Sequence, residues 1–199
     1  MKESRKGMLV VISGPSGAGK GTLADRLLND DPSLIFSVSV TTRPRREYEI
    51  EGVHYYFITE EKYDSLIGED AFVEHAAFSG HRYGTLKSEV DRRINEGKNV
   101  LLDIDQQGAQ AVMRSRPDCV SIFILPPSYE SLRVRLHTRN TDDEREIERR
   151  LKIAHEDIKQ MTKYQYVVVN DDLELAYEQL CHIIAAEKQR TSRYFPVVE

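Results

Sequence analysis

The chain has 199 residues, of which 40% are hydrophobic and 31% charged, with 28 Lys and Arg against 33 Asp and Glu for a net charge of −5. A chain of this size is one domain carrying small insertions, and it buries roughly 70% of its unfolded surface without needing staples. The composition excludes a disordered chain, no apolar run approaches the ~20 residues of a membrane span, and the acidic balance argues against long polyanions such as nucleic acid.

The polar start, Met1 to Gly7, flows into a short apolar run with no small-residue cleavage site, which predicts a first core strand rather than a leader. Two cysteines, Cys119 and Cys181, stand far apart, and the six histidines show no metal-type spacing. Reduced thiols, a cytoplasmic location and no protein-built zinc site are expected. Nothing chooses between a monomer and a homo-oligomer. Arginines bunch in Arg43-Pro44-Arg45-Arg46 and again between Arg133 and Arg150. In an acidic chain such clusters point to small, defined anions.

In chain order, β-branched runs alternate with helical patterns, the signature of an α/β fold with a mainly parallel sheet. Core strands are predicted at Leu9–Ser13, Ile35–Val38, Val100–Ile104, Val120–Leu125 and Tyr166–Val169, each apolar enough to be covered on both faces. Helices are predicted to begin near Lys20, Leu86, Gln107, Ser128, Asp143 and Leu173, with Gly97 as a helix stop. From Arg43 to about Tyr83 the pattern shortens, alternates and gains aromatics, which predicts an inserted subdomain with mixed or antiparallel strands. The polar segment Arg139 to Glu144 interrupts two helical patterns and reads as a mobile surface loop.

Residues 9 to 22 read L-V-V-I-S-G-P-S-G-A-G-K-G-T. Gly14, Gly19 and Lys20 have phosphate-loop spacing, in which glycines let successive N–H groups turn inward and the lysine neutralises the β- and γ-phosphates. That spacing alone arises by chance in roughly one chain in twenty. The apolar strand before it and the helical pattern after it supply the required context. Gly14, Pro15, Ser16, Gly17, Ala18, Gly19, Lys20, Gly21 and Thr22 are therefore expected to hold ATP. The usual hydroxyl after the lysine is replaced by Gly21, with Thr22 one place later, so a water-mediated magnesium contact is expected. The G-K-G-T form resembles nucleoside monophosphate kinases.

A guanine-reading N-K-x-D is absent. Instead the chain runs S-V-S-V-T-T-R-P-R-R from Ser37, then Gly52, Tyr55 and Phe57, F-V-E-H from Phe72 and F-S-G-H-R-Y-G-T from Phe78. L-L-D-I-D-Q-Q-G follows from Leu101, R-L-H-T-R-N-T-D from Arg135, R-R-L from Arg149 and V-V-N-D-D from Val168. In this order and spacing the series resembles the guanylate kinase family from about Met8 to Arg190. The family pattern T-T-R-x-P-R-x-G-E is altered here: proline comes one place early, Arg45 fills its slot, and Tyr48 replaces the glycine. Asn140 stands where the lid loop usually has glycine, and Asn tolerates left-handed geometry.

The resemblance implies a P-loop NTPase core with a five-stranded parallel sheet flanked by helices, an inserted GMP-binding subdomain at 43–83 and a helical lid at 133–150. The core is then 1–42, 84–132 and 151–199. It implies that ATP, with Mg2+, is the phosphoryl donor and GMP the acceptor. Arg43, Arg46, Tyr55 and Tyr83 would hold the GMP phosphate; Ser39, Glu74, Thr85 and Asp105 would contact or orient the guanine. Arg135, Arg139 and Arg150 would approach the transferring phosphate, and Asn170 would lie near the adenine. Lys20, Arg43, Arg135, Arg139 and Arg150 make up the catalytic set, and Asp103 with Thr22 stands near magnesium waters.

The residues alone carry part of this. Phosphoryl transfer needs positioning and charge neutralisation, for which arginine's planar fork is suited. Arg135 and Arg139 are one helical turn apart. Arg133, Arg145 and Arg149 read more simply as a solvated helix face, Tyr55, Tyr56 and Phe57 as packing, and Glu74 on an alternating strand could face either way. A kinase for another nucleoside monophosphate and a non-catalytic interaction module with the same fold are the alternatives.

Overall fold

The structure is a computed structural model that describes residues 3–78, 80–138 and 144–196. Its elements are β1 (Glu3–Arg5), β2 (Leu9–Ser13), α1 (Lys20–Asp30), β3 (Leu34–Phe36), β4 (Val40–Thr41), β5 (Tyr56–Phe57), α2 (Glu60–Gly68), β6 (Phe72–Phe78), β7 (His81–Leu86) and α3 (Lys87–Asn95). Then come β8 (Asn99–Asp103), α4 (Gln106–Ser115), β9 (Val120–Leu125), α5 (Tyr129–Thr138), α6 (Glu144–Ile158), a single 3-10 turn at Met161–Lys163, β10 (Tyr166–Val169), α7 (Leu173–Lys188) and β11 (Tyr194–Pro196).

Five parallel strands in the order β10-β9-β2-β8-β3 form the central sheet. All of β2 is buried, and its alternation divides the core. Val10 and Ile12 pack with Leu23, Leu27, Ala176 and Leu180 of α1 and α7. Leu9 and Val11 pack on the opposite face with Val90 and Val112 of α3 and α4. This double coverage is why the core strands read as continuous apolar runs.

The expected fold class is thus the observed one, and four of the five core strands lie within a residue of their expected places. The exception is Ile35–Val38, which the structure shortens and shifts to Leu34–Phe36. Phe36 is already exposed, and the chain then leaves the sheet toward β4. Helix starts move by a residue, within the usual fraying of helix ends. The antiparallel β1–β11 pair, which ties Glu3–Arg5 to Tyr194–Pro196, was not expected.

The second sheet, β5-β4-β7-β6, is mixed, with β4–β5 parallel and the other pairs antiparallel. It has its own core of Val40, Tyr63 and Phe72 beneath α2, whose N-cap Thr59 accepts from Lys62 N. The sheet takes in Val40–Thr41 and runs to Leu86, a few residues beyond the expected insert on each side. A third small core of Leu132, Leu136, Ile147 and Ala154 joins α5 to α6.

Candidate active site

The turn after β2 is shaped by backbone that only glycine adopts without strain. Gly14 has φ 143°, and a Cβ there would fall 2.2 Å from the Ile124 carbonyl oxygen of β9. Gly19, at φ 90°, is the N-cap of α1, and a Cβ there would sit 2.3 Å from Asn170 Nδ2. Lys20 Nζ folds back over the loop to donate to Gly14 O at 2.8 Å and Pro15 O at 3.2 Å. The loop therefore wraps the lysine at the positive end of α1, where an anion gains both the dipole and the inward N–H groups. Thr22 is exposed on the first turn of the helix.

A cleft of about 540 Å³ opens over this loop, lined by Gly14, Ser16, Lys20, Asp103, Asp105, Arg149, Arg150 and Asp157 among others. Asp103 ends β8, and its Oδ2 lies 3.8 Å from where a Gly21 Cβ would be. Burial pushes its carboxyl up, Lys20 opposing and Asp25 adding to the rise. Arg150 bonds Glu146 Oε1 at 3.2 Å, and Arg149 bonds the same carboxylate at 2.6 and 2.8 Å. The two arginines hold Glu146 at about 2, well below its ordinary value. Arg149, expected on a solvated face, is exposed but also lines the cleft. Arg133 pairs with Glu144 and Glu148 on that solvated face.

Asn170 and Arg135 brace the loop from behind. Asn170 is buried, donates Nδ2 to Ala18 O at 2.8 Å, and accepts on its carbonyl from Arg135 Nη2 at 2.8 Å. Asn170 thus supports the phosphate loop itself. Arg139 and Asn140 lie outside the described residues.

At the other end of the site, strand pairing sets Thr85 opposite Glu74, and Ser39, the residue before β4, continues the row on the other side of Thr85. Thr85 Oγ1 donates to Glu74 Oε1 at 2.7 Å and lies 3.4 Å from Ser39 Oγ. A bulge between Phe72 and Glu74 lets Phe72 and Val73 both be buried in succession while Glu74 turns toward α4. Asp105 caps that helix, accepting from Gly108 N at 2.8 Å. A Cβ on Gly108 would lie 3.4 Å from Asp105 Oδ1 and 3.6 Å from Glu74 Oε2, so the two carboxylates converge over a bare backbone. Burial raises the Glu74 carboxyl above its ordinary value; the Thr85 bond opposes this and Asp105 adds to it. Two ready acceptors next to each other suit a ligand edge with adjacent N–H donors.

Arg43 comes together with Tyr55 and Tyr83, as the family pattern implies. Its guanidinium stands 5.6 Å from the Tyr55 ring centre, and the Tyr55 and Tyr83 rings meet edge-on at 5.9 Å. Arg46 is turned aside, donating to Tyr48 Oη at 2.8 Å.

Sequence reasoning missed two residues. Glu49 is a buried carboxylate at the heart of the arginine turn. Asp157 lies seven residues after Arg150, hence on the same face of α6, and reaches the cleft. Burial raises its carboxyl, with Lys20 opposing and Asp105 adding. The seven-residue spacing was a usable signal for Asp157, whereas no sequence signal marked Glu49 as buried.

Comparison with known proteins follows the same lines. The family model described as guanylate kinase matches residues 6–187. A relative named guanylate kinase from Caldanaerobacter subterraneus subsp. tengcongensis is 47% identical over 97% of this chain and 94% of its own. One from Symbiobacterium thermophilum is 46% identical over 97% and 92%. The crystal structure of guanylate kinase from Anaplasma phagocytophilum aligns with TM-score 0.71 and 35% identity, covering 97% of this chain and 92% of that one. Shikimate kinase from Bacteroides thetaiotaomicron, at 17% identity and TM-score 0.50 over 89% and 98%, shares the fold alone. The chain belongs to the guanylate kinase family.

Proposed function

We propose that this chain transfers the γ-phosphoryl group of ATP to GMP, giving ADP and GDP, in purine nucleotide recycling. The observation that carries this is the end of β8, where Asp103 faces the lysine of the phosphate loop and Asp105 converges with Glu74 two residues later. AMP as acceptor is disfavoured by that convergence, since adenine sets a lone pair where guanine sets N1–H.

An oxygen of the GMP phosphate attacks the γ-phosphorus as the bond to the ADP oxygen breaks; the nucleophile is already anionic, so no general base is required. Lys20, released from its loop carbonyls, neutralises the β- and γ-phosphates. Arg150, carried by α6, and Arg139 balance charge developing on the transferring group, joined by Arg135 once it leaves the Asn170 carbonyl. Arg43, Tyr55 and Tyr83 hold the acceptor phosphate, joined by Arg46 when it swings away from Tyr48, and Ser39, Glu74, Thr85 and Asp105 hold its base. In this reading 43–83 is the GMP-binding subdomain, 133–150 the lid, and the remainder the core. The lid and subdomain close to exclude water, which would otherwise compete as acceptor.

The site fits Mg2+ carried by ATP rather than caged by protein. Among the described residues no group of three His, Cys, Asp or Glu could hold a metal, but the Asp103 carboxylate and Thr22 hydroxyl flank Lys20 with the hard oxygens this ion prefers. When bound it neutralises phosphate charge. Location in the cytoplasm fits the two free cysteines.

A coupled assay of ADP formation with GMP, AMP, CMP and UMP tests the reading. GMP should stimulate ADP release strongly and in a magnesium-dependent way. A folded protein that GMP fails to stimulate would instead be an interaction module.

A further inference from the structure

The turn from Arg43 to Glu49 is organised around one carboxylate that none of the acceptor roles above uses. Glu49 is only 4% exposed. Its Oε1 accepts from Arg43 Nη2 at 2.6 Å and its Oε2 from Arg43 Nη1 at 3.0 Å. Oε2 also accepts from the Arg46 backbone N at 2.8 Å. The Glu49 backbone closes the same loop, its N–H donating to Arg46 O at 3.1 Å and its carbonyl accepting from Arg45 Nη1 at 3.1 Å. Three arginines are thereby tied to a single residue.

The donor count of a guanidinium makes this informative. Arg43 Nη1 is saturated, with one N–H on Glu49 and the other on Pro44 O at 2.9 Å. One N–H of Nη2 is on Glu49. Beyond Glu49 and Pro44 the guanidinium turns outward its Nε–H and the outer N–H of Nη2, two parallel donors of the geometry that grips two oxygens of a phosphate, with the Tyr83 hydroxyl hydrogen-bonded to the same guanidinium. The Tyr55 ring lies under it.

We propose that Glu49 is the positioning residue of the acceptor-phosphate site: it occupies the Nη1/Nη2 end of Arg43 and so aims the Nε/Nη2 edge, between Tyr55 and Tyr83, at the phosphate of the acceptor nucleotide. The proposal rests on the kinase reading above for the identity of that nucleotide. The opposite role, a carboxylate that competes with the phosphate for Arg43, is disfavoured by its anchoring. Glu49 is held by backbone bonds at the base of the turn, and releasing Arg43 would leave a buried charge without its partner. Arg43 therefore binds phosphate while paired, and preorganisation of this kind improves affinity by removing ordering cost.

The test is titration calorimetry on the full chain, wild type against Glu49→Gln, with GMP and with guanosine, which has the same base and no phosphate. We expect the Kd for GMP to rise at least tenfold while those for guanosine and for ATP change less than twofold. Glu49→Asp, which keeps the charge but shortens its reach, is the second variant and should show the same GMP-specific loss to a smaller extent, should Glu49→Gln not fold. Equal weakening of GMP and guanosine would reduce Glu49 to a structural prop and overturn the proposal. Unchanged or tighter GMP binding would overturn it too, the tighter case by making Glu49 a competitor. Because the readout is binding, it stands apart from turnover, where absence of GMP-dependent ADP formation by the wild type would overturn the kinase reading itself.

Discussion

Replacing Glu74 by glutamine tests the proposed guanine-reading pair while keeping its shape. The carboxylate is fixed by the 2.7 Å bond from Thr85 and set beside Asp105 over Gly108. In the proposed reading it accepts from both guanine N1–H and the exocyclic amine. Glutamine keeps one acceptor and turns an NH2 toward a donor. One hydrogen bond to a charged group, worth about 1.5–3 kcal/mol, is lost, and an unmatched donor adds about 1–3 kcal/mol. At 1.4 kcal/mol per tenfold, the sum is roughly 10²–10⁴ in kcat/KM for GMP. The assay is coupled ADP formation with GMP and with IMP, whose base keeps N1–H but lacks the amine. Wild type should prefer GMP strongly; Glu74→Gln should compress the GMP-to-IMP ratio at least tenfold and leave the KM for ATP unchanged. An unaltered ratio would refute the assignment of Glu74 to the base. The pH dependence carries a sign. Glu74 lies above its ordinary value because it is buried, and only its ionised form accepts both bonds. GMP efficiency should fall as pH drops through that raised value, and Glu74→Gln should lose this limb. In the free protein the same shift means that Glu74 stabilises the fold most below its unfolded value and loses that as pH rises through the folded one. The variant should therefore be at least as stable as wild type at pH 8, by thermal melt.

Lys20→Ala should keep the fold but lower kcat at least 100-fold, since one preorganised group on developing charge is commonly worth ~3 kcal/mol; half the wild-type rate would mean that this loop is not the catalytic one. With both nucleotides bound, backbone amides of 43–78 and of 133–138 and 144–150 should gain protection in hydrogen exchange. Identical protection with and without nucleotides would count against closure.

The sheet was legible because its strands are covered on both faces, so β2, β8, β9 and β10 announce themselves as apolar runs. Val38 misled the reading of β3, being apolar yet past the point where the chain leaves the sheet. The β1–β11 ribbon pairs three residues at each end of the chain, too far apart in sequence for a local pattern to reveal. The phosphate loop was legible in full, since its glycines and lysine act within a few residues. Glu74 was not, because alternation alone left its facing open and a bulge decides it. Ser39, Thr85 and Glu74 are far apart in the chain, and only the register of β4, β6 and β7 aligns them; the family resemblance rather than local pattern pointed to them. Glu49 was hidden for a different reason. A glutamate after three arginines reads as solvated charge, and its burial follows from the way the turn closes on it.

The base pocket does not belong to the insert alone. Glu74 and Thr85 come from the second sheet and Ser39 from just ahead of it, but Asp105 caps α4 two residues after Asp103 ends the central strand β8 beside the phosphate loop. Ile104 N still donates to Ile12 O at 3.2 Å, so the spacing is held by the central sheet as by a ruler. Guanine preference read this way is not portable: residues 43–83 grafted onto another P-loop scaffold would carry the arginine turn and Glu74 but leave Ser39, Thr85 and Asp105 behind. On the proposed reading, a one-residue insertion between Asp103 and Asp105 would disturb both nucleotide sites at once.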